Sequence, residues 1–127
     1  MKKDTRPLLM DVVKYLDYVE EFSKEGYEAY IKDIRTQLVL QKTYEIIGEI
    51  VKRFSFSFRE EYSDVEWQSL ASFRDFLAHH YENIEHRYVW KAVEQMPAVR
   101  EKVKRILETD QNLDRFDEPH GKMADDD

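Results

Sequence analysis

Three of the four histidines, His79, His80 and His86, stand within eight residues, and Arg74 lies just upstream. An imidazole can take up or release a proton near neutral pH, and a guanidinium can hold a phosphate or carboxylate through several donors. Metal binding is the first chemistry to test. A di-metal helical bundle needs Glu-x-x-His on two helices, so that both ligands face inward one turn apart. No Glu-x-x-His and no His-x-x-x-His occurs in the chain, and adjacent His79 and His80 point to different helix faces. With no cysteine either, thiolate sites, disulfides and thiol nucleophiles are excluded together. No metal site and no cofactor are expected.

Acid–base chemistry is the alternative. Asp75 and His79 form an i, i+4 pair, so the carboxylate is placed to orient or charge the imidazole. Arg74, Ala78 and Tyr81 fall near one line along a helix. Arg74 and His79 are five steps apart, roughly 140° around the helix at about 100° per residue. They converge on one phosphate only through the long reach of Arg74, a distortion near His79, or a second subunit. By itself Arg-x-x-x-x-His is a spacing that chance produces often. His86 reads as a surface or capping residue, and His120, beside Pro119, as inert.

The elements that must position these residues are helices. Three glycines and three prolines in 127 residues leave little turn chemistry for a many-stranded sheet. Leu9, Val12, Val13, Leu16, Val19 and Phe22 recur at three- and four-residue steps, predicting a helix over 6–22. Ser23 and Gly26 interrupt it, and Tyr27 to Ile31 make a short extra turn. Asp33 caps a second long helix from 34 to about 57, with Ile34, Leu38, Tyr44, Ile47, Val51, Phe54 and Phe58 as its stripe. Gly48 inside that helix lowers its propensity and so predicts close packing against a neighbour. Ser63-Asp64-Val65-Glu66 reads as a capping box opening a third helix with Trp67, Leu70, Phe73 and Leu77 inward. Glu82 to Glu85 hold a turn. A fourth helix runs from His86 to Leu107 on Val89, Val93, Val99, Val103 and Ile106, with Pro97 expected to kink or divide it. The result is an all-α, up-and-down four-helix bundle with one short extra helix.

The length suits one domain, placed at 1–110, followed by an acidic, disordered tail at 111–127. The net charge of −7 weighs against a partner that offers many phosphates. More than half of it, however, lies from Asp117 onward, where Asp117, Glu118, Asp125, Asp126 and Asp127 stand against Lys122 alone. A small basic site in the body is compatible with that distribution. No apolar run reaches the roughly 20 residues that span a bilayer, and no signal-peptide pattern follows Met1, so a cytoplasmic protein without a membrane role is expected. Aromatics at 13% are generous for so small a core, and some of them suit a dimer contact.

Taken in order, Tyr44-Glu45-Ile46-Ile47-Gly48-Glu49-Ile50, Val65-Glu66-Trp67, Phe73-Arg74-Asp75-Phe76-Leu77-Ala78-His79-His80-Tyr81, Tyr88-Val89-Trp90 and Met96-Pro97 resemble the HepT-like family of the HEPN group. The likeness runs from about Arg6 to Leu107 and accounts for Gly48 and Pro97. It implies a helical bundle that forms a homodimer, with two motif copies near a shared cleft, and a metal-independent endoribonuclease toxin. It implies RNA as substrate and, as antitoxin partner, a small nucleotidyltransferase of the MNT type that can transfer AMP to a tyrosine. Residue by residue, Arg74 and His79 match the catalytic pair and Tyr81 the AMP acceptor. Asp75 stands where the family often has asparagine. His80 either assists or is simply exposed. Glu49 matches a family-typical acid and is read as a packing or salt-bridge residue. Two other functions compete: a non-catalytic module that binds and positions the nucleotidyltransferase, favoured by the acidic charge, and an AMP-accepting protein whose modification is itself the signal.

Overall fold

The computed structural model describes residues 4–80 and 83–117. Helix α1 spans Thr5–Ser23, α2 Tyr27–Lys32, α3 Ile34–Val51, α4 Phe56–Glu61, α5 Trp67–His79 and α6 His86–Thr109, followed by a 3-10 turn at Leu113–Phe116. The four long helices form an all-α bundle in which α1 packs on α3 and α6, and α3 also packs on α5. Among the described residues no helix is long and apolar enough to cross a membrane.

The apolar stripes build the core, with Leu9, Val12, Leu16 and Val19 of α1, Leu40, Ile47 and Val51 of α3, Leu77 of α5, and Val89 and Val103 of α6 all buried. At about 25 cal/mol per Å² of apolar surface, burial of these stripes is the main force holding the helices together. The stripe does not predict burial everywhere. Ile34 and Leu38 open α3 but are 63% and 57% exposed.

Gly26, with φ +94°, turns the chain between α1 and α2 in a region L side chains rarely adopt. Asp33 caps α3 as expected, its carboxylate accepting from the Arg35 N–H at 2.9 Å. The expected continuation of α3 to 57 is corrected. The helix stops at Val51, and Ser55 caps a separate α4 by accepting from the Phe58 N–H. Phe54 and Phe58 keep the period but serve an aromatic cluster with Trp67 and Phe116 at the end of the bundle. The capping box is also corrected. Helix α5 begins at Trp67 with no side-chain cap, and the chain is turned into it by the indole N–H of Trp67 donating to the Tyr62 carbonyl at 3.0 Å.

Pro97 does not divide α6, which runs as one helix with buried Val93 and Met96 before the proline and Val103 and Ile106 after it. Packing on both sides outweighs the lost backbone bond. The helical body also continues past residue 110. Leu113 is buried, Phe116 packs on Phe58, and the Asp117 carboxylate accepts from the Thr5 N–H at 2.8 Å, at the positive end of α1. At the C-terminal end of α6, Arg6 donates to the carbonyls of Leu107 and Asp110, which the helix itself leaves unpaired.

Candidate active site

Gly48 decides where Arg74 lies. A Cβ on Gly48 would stand 2.2 Å from the Arg74 Cβ and 2.9 Å from the Leu70 carbonyl oxygen, so only hydrogen fits where α3 crosses α5. This close approach seats the base of the Arg74 side chain against α3. Its Nε then sits 2.7 Å from the Glu49 carboxylate, an ion pair without hydrogen-bond alignment, and its NH1 donates to Asp75 Oδ1 at 3.2 Å. The guanidinium also forms one wall of a cleft of about 330 Å³ between α1 and α3 that Asp11, Tyr15, Lys42, Glu49 and Arg53 line. Glu49 is thus a salt-bridge partner of Arg74.

The Asp75 carboxylate does not orient His79, contrary to the helical-spacing expectation. Lys52, the residue that follows α3, reaches across and places Nζ 2.5 Å from Asp75 Oδ1. The Lys52 ammonium first, and Arg74 second, hold the Asp75 carboxyl below its ordinary range. Two cations claim the carboxylate, so it turns away from the imidazole one turn further on. What meets His79 is the backbone carbonyl of Asp75, 2.8 Å from Nδ1. A carbonyl can only accept, so Nδ1 carries the hydrogen and Nε2 presents its lone pair when the ring is neutral. His79 is exposed at the last position of α5.

Asp75 therefore links the two candidate residues, its side chain engaging Arg74 and its main chain engaging His79. His80 is held on its own helix, with Nδ1 donating to the Phe76 carbonyl at 3.0 Å and its ring stacked on Phe76 at 4.5 Å. Tyr81 lies outside the described residues, as does His120. His86 is not a plain surface residue, since its Nδ1 shares a 2.8 Å hydrogen bond with the buried Tyr30 hydroxyl and fastens α2 to α6. Burial pushes that hydroxyl up to about 12. Among the described residues, no group of three or more His, Asp or Glu side chains is arranged to hold a metal ion.

Sequence reasoning missed Lys52. Twenty-three residues separate it from Asp75, and no local spacing announces the pair. Gly48 was the available signal, because close packing at 48 brings the end of α3 onto α5.

Comparison with known proteins identifies the family. Residues 12–106 match the family described as ribonuclease HepT-like. A protein of Methanocaldococcus jannaschii named "Putative RNase" is 31% identical over 92% of this chain and 96% of its own length. One of Thermococcus cleftensis named "Probable ribonuclease HepT" is 31% identical over 84% of this chain and 98% of its own. A third, from Caldanaerobacter subterraneus and again named "Putative RNase", is 32% identical over 84% of this chain and 96% of its own. No solved structure is significantly similar to the chain.

Proposed function

From the premise that the chain belongs to the ribonuclease HepT-like family, we propose that it is a metal-independent endoribonuclease whose working pair is Arg74 and His79. The observation that carries this reading is the Asp75 bridge, which sets a partly exposed guanidinium and an exposed imidazole, its Nδ1 held by a carbonyl, on one helix.

The chemistry follows from the groups. His79 Nε2 takes the proton of an RNA 2′-hydroxyl, the 2′-oxygen attacks the adjacent phosphorus, and the bond to the 5′-oxygen breaks. The proton returns to that leaving oxygen, and the other fragment ends in a 2′,3′-cyclic phosphate. Arg74 supplies donors to the phosphoryl oxygens as their charge grows. DNA, which lacks the nucleophile, is not cut. Cleavage should leave cyclic phosphate ends visible by mass spectrometry. It should stop when one 2′-deoxynucleotide replaces the nucleotide at the cut, and continued cutting there sinks the mechanism.

A homodimer completes this reading. Exposed Tyr18 and Phe22 on α1 and Ile34 and Leu38 on α3 give a second copy an apolar surface to cover, and two α5 helices near one cleft would ease the angle between Arg74 and His79. In the cell the enzyme acts as the toxin of a toxin–antitoxin pair, with an MNT-type nucleotidyltransferase as antitoxin. AMP placed on Tyr81 would add a bulky anion that repels the substrate phosphate. Intact mass after incubation with ATP and that partner, with Tyr81→Phe as control, tests the modification. The second reading, a non-catalytic module that binds the nucleotidyltransferase, is favoured by the two carboxylates already engaging Arg74. Tight partner binding without any RNA cleavage would select it.

A further inference from the structure

We propose that Lys52 and Arg74 form a two-cation clamp for a substrate phosphate, and that the Asp75 carboxylate occupies this clamp until RNA displaces it. The proposal rests on the reading of Arg74 as a ligand of the RNA phosphate, and adds to it a second cation from another helix and a built-in competitor.

One oxygen carries the argument. Asp75 Oδ1 lies 2.5 Å from Lys52 Nζ and 3.2 Å from Arg74 NH1, so a single anionic acceptor already sits within reach of an ammonium and a guanidinium. A phosphoryl oxygen has the same sign of charge and the same acceptor chemistry, so it can take that position. The side chains are accessible, with Lys52 38%, Asp75 48% and Arg74 28% exposed. The clamp is also one helical turn from His79, whose Nδ1 is held by the carbonyl of the same Asp75. Glu49 meets Arg74 at Nε, leaving the NH1 side turned toward Asp75 and Lys52.

Charge explains why the displaced group matters. Lys52 and Arg74 are balanced by Asp75 and Glu49, so the resting cluster is neutral. An incoming phosphate must compete with a tethered carboxylate. Replacing Asp75 with asparagine would keep the shape, remove the competitor and leave one net positive charge facing the substrate.

A purely structural pair makes a different prediction, which decides the matter. If Lys52 and Asp75 only pin α3 to α5, then Lys52→Ala and Asp75→Asn remove the same interaction and must act in the same direction. If they form a clamp and its competitor, they must act in opposite directions on RNA affinity. The experiment is a salt series of binding measurements with a single-stranded RNA oligonucleotide bearing 2′-O-methyl groups throughout, which cannot be cut by 2′-attack. Thermal melts confirm that each variant is folded, and Lys52→Gln stands in should Lys52→Ala not fold. The expected result is that Lys52→Ala weakens binding about threefold to tenfold and lowers the salt slope by roughly 0.7 to 1. Lys52→Arg should bind like the parent, and Asp75→Asn should bind more tightly with a steeper slope. Equal signs for Lys52→Ala and Asp75→Asn, no change in either, or no binding by the parent overturns the clamp. The ribonuclease reading fails separately. Opposite signs in a protein that never cuts unmodified RNA sink that reading alone, while equal signs in a protein that does cut sink the clamp alone.

Discussion

Arg74 and His79 stand five residues apart on one helix, yet different physics holds each of them. Arg74 is in the packed middle of α5, with its side-chain base against Gly48 and its guanidinium between Glu49 and Asp75. His79 closes the helix in solvent, held by the backbone carbonyl of Asp75 one turn earlier. The middle of α5 is fixed by tertiary contact and its end only by local geometry. A charge that must meet a phosphoryl group benefits from being fixed in advance. A group that must receive a proton and then return it benefits from an exposed ring with one free nitrogen.

The contrast predicts a hierarchy of effects. Gly48→Ala should be the most damaging substitution for stability, because the added carbon meets the Arg74 Cβ and the Leu70 backbone, neither of which is a flexible side-chain end. A loss of about 1–3 kcal/mol is expected from overpacking, with loss of activity as Arg74 is displaced. A thermal melt unchanged from the parent would show that the two helices are not locked there. Glu49→Gln should have a smaller effect. It removes a half-exposed charge from Arg74, so stability should fall by less than about 1 kcal/mol while kcat drops several-fold, measured as initial rates against melting temperature. At the open end, His80→Ala should shift stability by no more than about 0.5 kcal/mol and leave the cleavage rate nearly unchanged. A large loss of cleavage in that variant would make His80 part of the chemistry.

Two carboxyls held below their ordinary range set how the fold responds to acid. Lys52 and Arg74 depress the Asp75 carboxyl, and Arg115 with Tyr62 holds Asp110 far below the usual carboxylate range. For a carboxyl lowered on folding, the stabilisation is fully present above its unfolded value, about 4. It is lost as pH falls through the folded one. Melting temperature should therefore drop on acidification below about pH 4, and Asp110→Asn should flatten that drop while lowering stability at neutral pH. An equally steep acid profile in the variant would remove Asp110 as its source.

What the sequence made legible follows the same division between local and distant interactions. Periodic apolar residues located the four long helices, and Asp33 was recognisable as a cap because its partner is two residues away. The end of α3 was overrun, since Phe54 and Phe58 continue the helical period while packing on Trp67 and Phe116 instead. Asp75 and His79 had the right spacing for a carboxylate–imidazole pair, but Lys52 arrives from another helix and outcompetes the ring. The docking of Leu113 and Phe116 was hidden by the acidic residues that follow them. Gly48 was the exception, a single residue whose cost within a helix correctly implied a long-range contact.

In the proposed mechanism Arg74 and His79 together cut RNA without a metal ion. The most direct measurement is the initial rate of RNA cleavage in the presence of a chelator by the parent, Arg74→Ala and His79→Ala, each shown by thermal melt to be folded. The expected result is that the parent cuts and that each variant is slower by about 100-fold or more. Cleavage by either variant at the parental rate, or a parent that cuts only when a divalent metal is supplied, would contradict it.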